Sequence, residues 1–186
     1  MKNFKKFTAF ATRGLVAIAA AATIAFGAVA LTGCGQSDEE VIKAALTEAL
    51  DEVKNADDET IEAMLESTDE STINTFEEYG LDMKEYMKAY LSGFDYTVGD
   101  ITVDGDTAMA EVVLTCKTTS TMNTAAQNID YSSVESLDQV GALLMNAVEN
   151  AGTTEVPVTL ELVKTDGTWG PSDTFDSAIS AAISEN

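Results

Sequence analysis

A stripe of apolar residues at helical spacing runs along the stretch from Asp38 to Lys54. Ser37 precedes this stretch and Glu40 follows three residues later, which is the spacing of a capping box at the start of a helix. We therefore predict a helix that ends at about Lys54. Its apolar stripe consists of Val41, Ile42, Ala45, Leu46, Ala49, Leu50 and Val53.

Three shorter helices are predicted from the same period of 3.6 residues. Asp57 and Asp58 are suited to cap the first of them. The second is expected over residues 71–79, where Gly80 ends it, and the third over residues 81–91. On the third helix one face carries Tyr86, Met87, Tyr90 and Leu91. Such a face is usually part of a core, and the lining of a ligand pocket is the alternative.

The hydrophobic period changes to two residues after position 93, which is typical of strands. Phe94, Tyr96 and Val98 alternate with polar residues, as do Ile101 and Val103. Asp104-Gly105 predicts a tight hairpin turn, and a return strand is predicted from Thr107 to Thr119. Its expected inward residues are Ala108, Ala110, Val112, Leu114 and Cys116, and its expected outward residues are Met109, Glu111, Val113, Thr115 and Lys117.

The remaining third of the chain repeats this alternation of helix and hairpin. Residues 118–129 are compatible with a strand extension, a loop or a first helical turn, and Ser132 or Ser133 is expected to cap a helix to about Asn150. Residues 155–164 alternate again, with Pro157 expected early in the strand or on an edge. The segment that follows contains a second hairpin turn at Asp166-Gly167, a short strand from Thr168-Trp169, and a final helix capped by Ser172 or Asp173.

Helices, hairpin, helix, hairpin and helix therefore follow one another along the chain. Strands joined by tight turns are antiparallel, and helices that cover one face of such a sheet form an α+β domain. We predict a single α+β domain over residues 38–186, with an antiparallel four-stranded sheet packed by helices.

Charge limits what such a domain can bind. Downstream of residue 33 the chain carries six lysines against 32 carboxylates, a net charge of −26, and it has neither arginine nor histidine. Nucleic-acid binding needs basic residues to neutralise phosphates, so we expect no nucleic-acid partner. Without histidine there is no imidazole base and no histidine-bound zinc, and we predict no metal and no cofactor. Asp104-Gly105-Asp106 lacks the spacing of a calcium loop.

The first 34 residues have the organisation of an export signal. Residues 1–14 are basic, residues 15–30 are small or apolar, and Leu31-Thr32-Gly33-Cys34 follows directly. These four residues resemble the lipobox of bacterial lipoproteins. The resemblance implies that residues 1–33 are a signal peptide recognised through Leu31, Thr32 and Gly33. It also implies lipid attachment at Cys34 and a location on the extracytoplasmic face of the cell membrane. The alternative is an uncleaved membrane-spanning anchor, for which the apolar run is short of the roughly 20 residues needed.

Residues 34–37 then form a short tether between lipid and domain. If Cys34 carries the lipid, Cys116 has no partner for an intramolecular disulfide. Because Cys116 lies in an apolar strand pattern, we expect a buried and inert thiol.

The closing segment carries a second resemblance. Val158–Trp169, in which an Asp-Gly turn leads into a tryptophan, and the helix after it are similar to the end of small lipoproteins with an NTF2-like or cystatin-like domain of unknown function. The resemblance implies a pocket between sheet and helices. Gly170-Pro171 departs from it, since the last strand usually continues there, and a shortened strand is expected.

The candidates for lining that pocket are Tyr86, Tyr90, Tyr96 and Trp169. No catalytic constellation is visible, so we favour a non-enzymatic binding or interaction module for a small molecule or an envelope protein. One alternative is an NTF2-like hydrolase or isomerase that uses aspartate and tyrosine. The other is a structural subunit of an envelope complex.

Overall fold

The computed structural model describes residues 37–66, 68–127, 129 and 134–185. The predictions made for the lipobox, Leu31, Thr32, Gly33 and Cys34, lie outside the described residues, as do Ser132 and Ser133. Four strands in the described ranges are β1 Asp95–Asp104, β2 Thr107–Cys116, β3 Thr154–Thr165 and β4 Thr168–Pro171. The helices are α1 Asp38–Lys54, α2 Asp58–Glu66, α3 Glu70–Glu78, α4 Met83–Leu91, α5 Thr119–Gln127, α6 Leu137–Asn150 and α7 Phe175–Glu185.

The strands form one antiparallel sheet in the order β1-β2-β3-β4. The α+β class and the four-stranded antiparallel sheet are therefore confirmed. The last strand is short, as expected, and pairs only from Leu162 with Pro171 to Thr165 with Thr168. Pro157 lies early in β3, opposite Val113 of β2 and beyond the reach of β4. On the side of β4 this part of β3 has no neighbouring strand, so the N–H that proline lacks would have no carbonyl to bind there.

Capping residues determine where several helices begin and end. Ser37 and Glu40 form the predicted capping box of α1. The backbone N–H of Thr60 donates to Oδ1 of Asp57 at 2.9 Å, so Asp57 caps α2. Gly80 has φ +63°, and the N–H of Leu81 donates to the carbonyl of Phe76. This Schellman arrangement ends α3, and glycine suits it because φ is positive.

Several predicted boundaries were wrong. The first hairpin turn consists of Gly105 and Asp106, because Asp104 still pairs with Thr107. Strand β2 ends at Cys116 rather than at Thr119. Helix α6 begins at Leu137 and is capped by Ser136, whose hydroxyl accepts from the N–H of Gln139 at 3.3 Å, so neither Ser132 nor Ser133 is the cap.

Residues 118–129, for which the sequence allowed three alternatives, contain helix α5. Thr118 and Thr121 bind each other's backbone N–H through their hydroxyls, at 3.4 and 2.9 Å. These bonds satisfy donors at the helix start, where no carbonyl of the helix can. Helix α7 follows Thr174, whose carbonyl accepts from the N–H of Ala178, so the predicted cap at Ser172 or Asp173 is one or two residues too early.

Two groups of buried side chains hold these elements together. We call the first the sheet cluster; it lies between one face of the sheet and helices α1 and α7. We call the second the helical cluster; it is formed mainly by α2, α3, α4 and Val148 of α6. The helical cluster is composed of Ile61, Met64, Phe76, Leu81, Tyr86, Met87, Tyr90 and Val148.

The sheet has two distinct ends. Both hairpin turns lie at one of them, and the N–H of Lys164 donates there to the carbonyl of Asp106 at 2.8 Å. We call this the hairpin end. At the other end β1 begins, β2 ends and β3 begins, and Cys116 pairs with Thr154. Helix α4 leads into the sheet and α5 leads out of it there, so we call it the helical end.

Candidate functional site

The four aromatic residues that the sequence suggests for a pocket are divided between the two clusters. Tyr86 and Tyr90 belong to the helical cluster. Trp169 is buried in the sheet cluster, and Tyr96 packs against it. The structure thus brings together two of these residues on α4 and does not bring all four to one place.

Tyr86 and Tyr90 are core residues by their surroundings. The ring of Tyr86 meets that of Phe76 edge to face, with centroids 5.0 Å apart. The hydroxyl of Tyr90 donates to the backbone carbonyl of Lys117 at 3.2 Å. Burial raises the pKa of both tyrosines well above the ordinary value of 10.0. Both are therefore harder to deprotonate than an ordinary tyrosine and are poor candidates for a base.

Tyr96 is a tyrosine that the structure pairs with a carboxylate. Its hydroxyl lies 2.8 Å from Oδ1 of Asp51 and 3.0 Å from the carbonyl of Thr47, both on α1. Desolvation and the hydrogen bond to Asp51 raise the pKa of Tyr96 to about 12. Asp51 itself is exposed. This pair was missed from the sequence, because Asp51 and Tyr96 are 45 residues apart.

Trp169 lies beneath a charged contact at the hairpin end. Its ring is 6% exposed, and Nζ of Lys164 lies 5.4 Å from the ring centroid. The same ammonium donates to both oxygens of Asp38, at 2.9 and 3.0 Å. Lys164, followed by the indole N–H of Trp169, lowers the pKa of Asp38. The indole N–H does not reach standard hydrogen-bond geometry with a described group, so it acts on Asp38 as a nearby dipole.

Lys117 is a residue whose exposure the sequence predicted wrongly. The alternation in β2 predicted that it faces solvent, yet it is 3% exposed. The reason is that β2 ends one residue earlier, so that the alternation no longer applies. The ammonium of Lys117 donates to the carbonyl of Ala89 in the last turn of α4. The carbonyl of Ala89 is one of the last four carbonyls of α4, which have no N–H partner within the helix. A cation at this end also suits the helix dipole.

Burial changes the chemistry of Lys117 and of its neighbour. Desolvation lowers the pKa of the Lys117 ammonium, and Glu149 partly offsets this. Desolvation raises the pKa of the Cys116 thiol to about 11. A thiol is nucleophilic as the thiolate, so burial and the raised pKa both make Cys116 a poor nucleophile at neutral pH. Its burial is confirmed, and it forms no disulfide with a described residue.

Most of the lysines of the domain are engaged in contacts with its own groups. Lys54 lies 2.7 Å from Asp95, and Lys164 binds Asp38. The other pairs join helix α2 to helix α4 or lie within α4. They are Lys84 with Asp58 and Glu62, and Lys88 with Asp58 and Glu85. With Lys117, five of the six lysines downstream of residue 33 are occupied in this way. Little positive charge is therefore left to receive an anionic ligand.

Acidic side chains are numerous but dispersed. In the part of the chain that the structure describes, no group of three or more histidine, cysteine, aspartate or glutamate side chains is placed to hold a metal ion. Among the described residues, five aspartates have a lowered pKa, and in each case a lysine or the N–H and hydroxyl groups of a helix start account for it. They are Asp38, Asp57, Asp58, Asp69 and Asp95.

Comparison with known proteins gives little to add to this geometry. No protein-family model matches the chain. No curated protein matches it either. Among solved structures, the chain is similar to the crystal structure of ycdA, a candidate lipoprotein from Bacillus subtilis, with 14% identity and a TM-score of 0.42. The alignment covers 76% of this chain and 48% of that one, so the chain spans about half of its length. A TM-score this low supports no inference from that protein about the fold type or the role of this chain.

Proposed function

We propose that this chain is a bacterial lipoprotein, anchored through lipid on Cys34 to the extracytoplasmic face of the cell membrane. The observation that carries this proposal is the position of Leu31-Thr32-Gly33-Cys34, directly after a basic segment and a short apolar run. Within the described ranges, no helix is both long and apolar enough to cross a bilayer. The short tether of residues 34–37 then joins the lipid to α1.

The folded domain is, in this proposal, a non-enzymatic binding or interaction module. The proposal is supported by the protonation, burial and contacts of the side chains that could take part in catalysis. Tyr86, Tyr90 and Tyr96 hold their protons through raised pKa values, and the thiol of Cys116 is buried. The ammonium of Lys117 is taken up by a backbone carbonyl. Since most lysines are paired and arginine is absent downstream of residue 33, a neutral or cationic small molecule or envelope protein fits the domain better than an anionic one.

We also propose that the fold is of the NTF2-like or cystatin-like type. Two hairpins in sequence order form the sheet, and helices α1 and α7 cover one of its faces. The Asp166-Gly167 turn before Trp169 and the helix after it follow the order of that family's closing segment.

The experiment that tests the anchor is mass spectrometry of the membrane fraction from bacteria that express the full chain. We expect an N-terminal peptide that begins at Cys34 and carries acyl chains, and we expect its loss in Cys34→Ser. An unlipidated chain that retains residues 1–33 would contradict the proposal and would indicate a membrane-spanning anchor instead.

The matched control is Cys116→Ser, which removes the other cysteine of the chain. It leaves the lipobox unchanged, so the acylated peptide is expected to persist. Loss of the lipid in both variants would mean that export of the chain had failed rather than lipid attachment.

A further inference from the structure

We propose that the anchored domain stands upright on the membrane, with its hairpin end facing the lipid headgroups and its helical end displayed outward. This inference rests on the lipid anchor proposed above. It assigns a bilayer-facing surface to the two hairpin turns and the start of α1, and it makes the surface of α2–α6 the part that is open to a partner.

The direction of α1 relative to the sheet is the first step. At the start of the helix, Asp38 binds Lys164, which lies one residue before the last residue of β3 at the hairpin end. At the end of the helix, Lys54 binds Asp95, the first residue of β1 at the helical end. The hydroxyl of Tyr96 adds contacts to α1 near that second end. The helix is therefore held at both of its termini and runs from the hairpin end to the helical end.

The length of the tether is the second step. Three residues, Gly35, Gln36 and Ser37, separate Cys34 from α1, and they reach at most about 10 Å. A ten-residue strand such as β2 is about 33 Å long. The lipid can therefore not reach the helical end, and the hairpin end is the one that stays next to the bilayer.

The charge of the hairpin end is the third step. Asp104, Asp106 and Asp166 are exposed at the turns, and Glu39 and Glu40 are exposed in the first turn of α1. Anionic headgroups repel such a surface, with a range set by the Debye length. We therefore infer that lipid, and not adsorption of the protein surface, holds this end at the membrane.

The experiment places one dye at each end of the domain. Thr168 at the hairpin end and Asn74 on α3 at the helical end are exposed, and each is replaced by cysteine in the full chain. In the mature lipoprotein the thiol of Cys34 is consumed by lipid and Cys116 is buried, so each variant offers one reactive thiol. The lipoprotein is incorporated into phosphatidylcholine vesicles that contain nitroxide-labelled headgroups, and quenching is compared.

Quenching several-fold stronger at position 168 than at position 74 is expected. Equal quenching would mean that the domain lies flat or tumbles, and stronger quenching at position 74 would mean that it is inverted; either would overturn the orientation. Flotation of the vesicles is measured separately. Protein that does not float with them would refute the anchor itself, and the orientation with it.

A lengthened tether serves as the control. An insertion of about 20 glycine and serine residues before Ser37 has a root-mean-square length of about 25 Å. It leaves the fold and the lipid unchanged, so the protein is expected to float with the vesicles. The difference between the two dye positions is expected to shrink, because the domain can now rotate. An unchanged difference would show that the tether does not set the orientation.

Discussion

Nζ of Lys164 lies 2.9 Å from Oδ1 of Asp38, which joins the end of strand β3 to the first residue of helix α1 across 126 positions of sequence. The ammonium also lies above the ring of Trp169. One lysine therefore ties the N-terminus of the domain to the closing hairpin. In a lipid-anchored protein this contact is the point at which the tether meets the folded structure.

The first prediction concerns the response of this contact to acid. Lys164 and the indole N–H lower the pKa of Asp38 in the folded state, so its contribution to stability is present above pH 3.8 and is lost as pH falls through the lowered pKa. Asp38→Asn should therefore flatten the loss of stability below pH 3.8, measured by urea unfolding. Asp173→Asn, at an exposed loop residue, controls for the loss of one negative charge. Equal slopes for Asp38→Asn and wild type would contradict the contact.

The second prediction concerns Trp169, the single tryptophan of the chain. Since its side chain is buried, Trp169→Ala should lower the free energy of unfolding by about 3–5 kcal/mol. Trp169→Phe keeps an aromatic ring and should cost less. Chemical denaturation followed by far-ultraviolet circular dichroism measures both. A loss near zero for the alanine variant would mean that the ring is exposed in solution.

Local signals allowed much of this fold to be predicted. The capping box at Ser37, the stop at Gly80 and the Asp166-Gly167 turn each depend on residues within four positions of one another. For this reason the helix of residues 38–54 and the closing hairpin were predicted nearly residue by residue. The alternation in β2 likewise identified its buried face, from Ala108 to Cys116.

What the sequence could not predict depends on distant contacts. The pairing of Tyr96 with Asp51 needs β1 to lie along α1. The register shift in β1 between Val98 and Ile101 is an exception, because the break in the alternation at this point already predicts both sets of inward residues. The pocket candidates are divided between two clusters because α2–α4 lie at one end of the sheet. The hydrophobic periodicity of each helix does not reveal where that helix lies relative to the sheet.

The third prediction concerns the buried lysine. Lys117→Met removes the donor to the carbonyl of Ala89 and leaves that part-buried carbonyl without its partner, which should cost about 1–3 kcal/mol in the free energy of unfolding. Lys43→Met is the matched control, because Lys43 is an exposed lysine on α1. It should change the stability little. Equal effects of the two substitutions in urea unfolding would mean that Lys117 is not engaged as described.

A comparison of wild type with Lys117→Met also tests the pKa of Lys117. Because burial lowers this pKa in the folded state, the unfolded chain binds more protons between the lowered value and 10.5. Wild type should therefore gain stability relative to Lys117→Met as pH rises through that window. If the free energy of unfolding of wild type minus that of Lys117→Met decreased with rising pH, the lowered pKa would be contradicted.

The fourth prediction uses the thiol of Cys116 as a reporter. In a chain that begins at Ser37, Cys116 is the single cysteine, and it is buried with a pKa raised to about 11. An aromatic disulfide reagent at pH 8 should react slowly with the native protein and rapidly in urea, because unfolding exposes the thiol and restores its ordinary pKa. Ala125→Cys, at a half-buried position of α5, provides a more accessible thiol for comparison. Native reaction as fast as that of the comparison would mean that Cys116 is exposed.

The last prediction concerns the close approach of α6 to the corner between α3 and α4. A Cβ atom at Gly141 would overlap the carbonyl oxygen of Tyr79 and lie 3.0 Å from its carbonyl carbon. Alanine in place of glycine normally favours a helix by about 1 kcal/mol. Here the new atom meets backbone that cannot rotate away, so Gly141→Ala should instead destabilise the protein by about 1–3 kcal/mol.

Gly152 provides the matched control for this substitution. It lies just beyond the end of α6, and a Cβ atom built there meets nothing within 4 Å. Because its φ is not positive, Gly152→Ala should be neutral or stabilise by about 0.4–1 kcal/mol through the unfolded state. Thermal unfolding of the two variants beside wild type makes the comparison. Opposite shifts in the midpoint are expected, and a rise for Gly141→Ala would mean that α6 does not touch Tyr79 in solution.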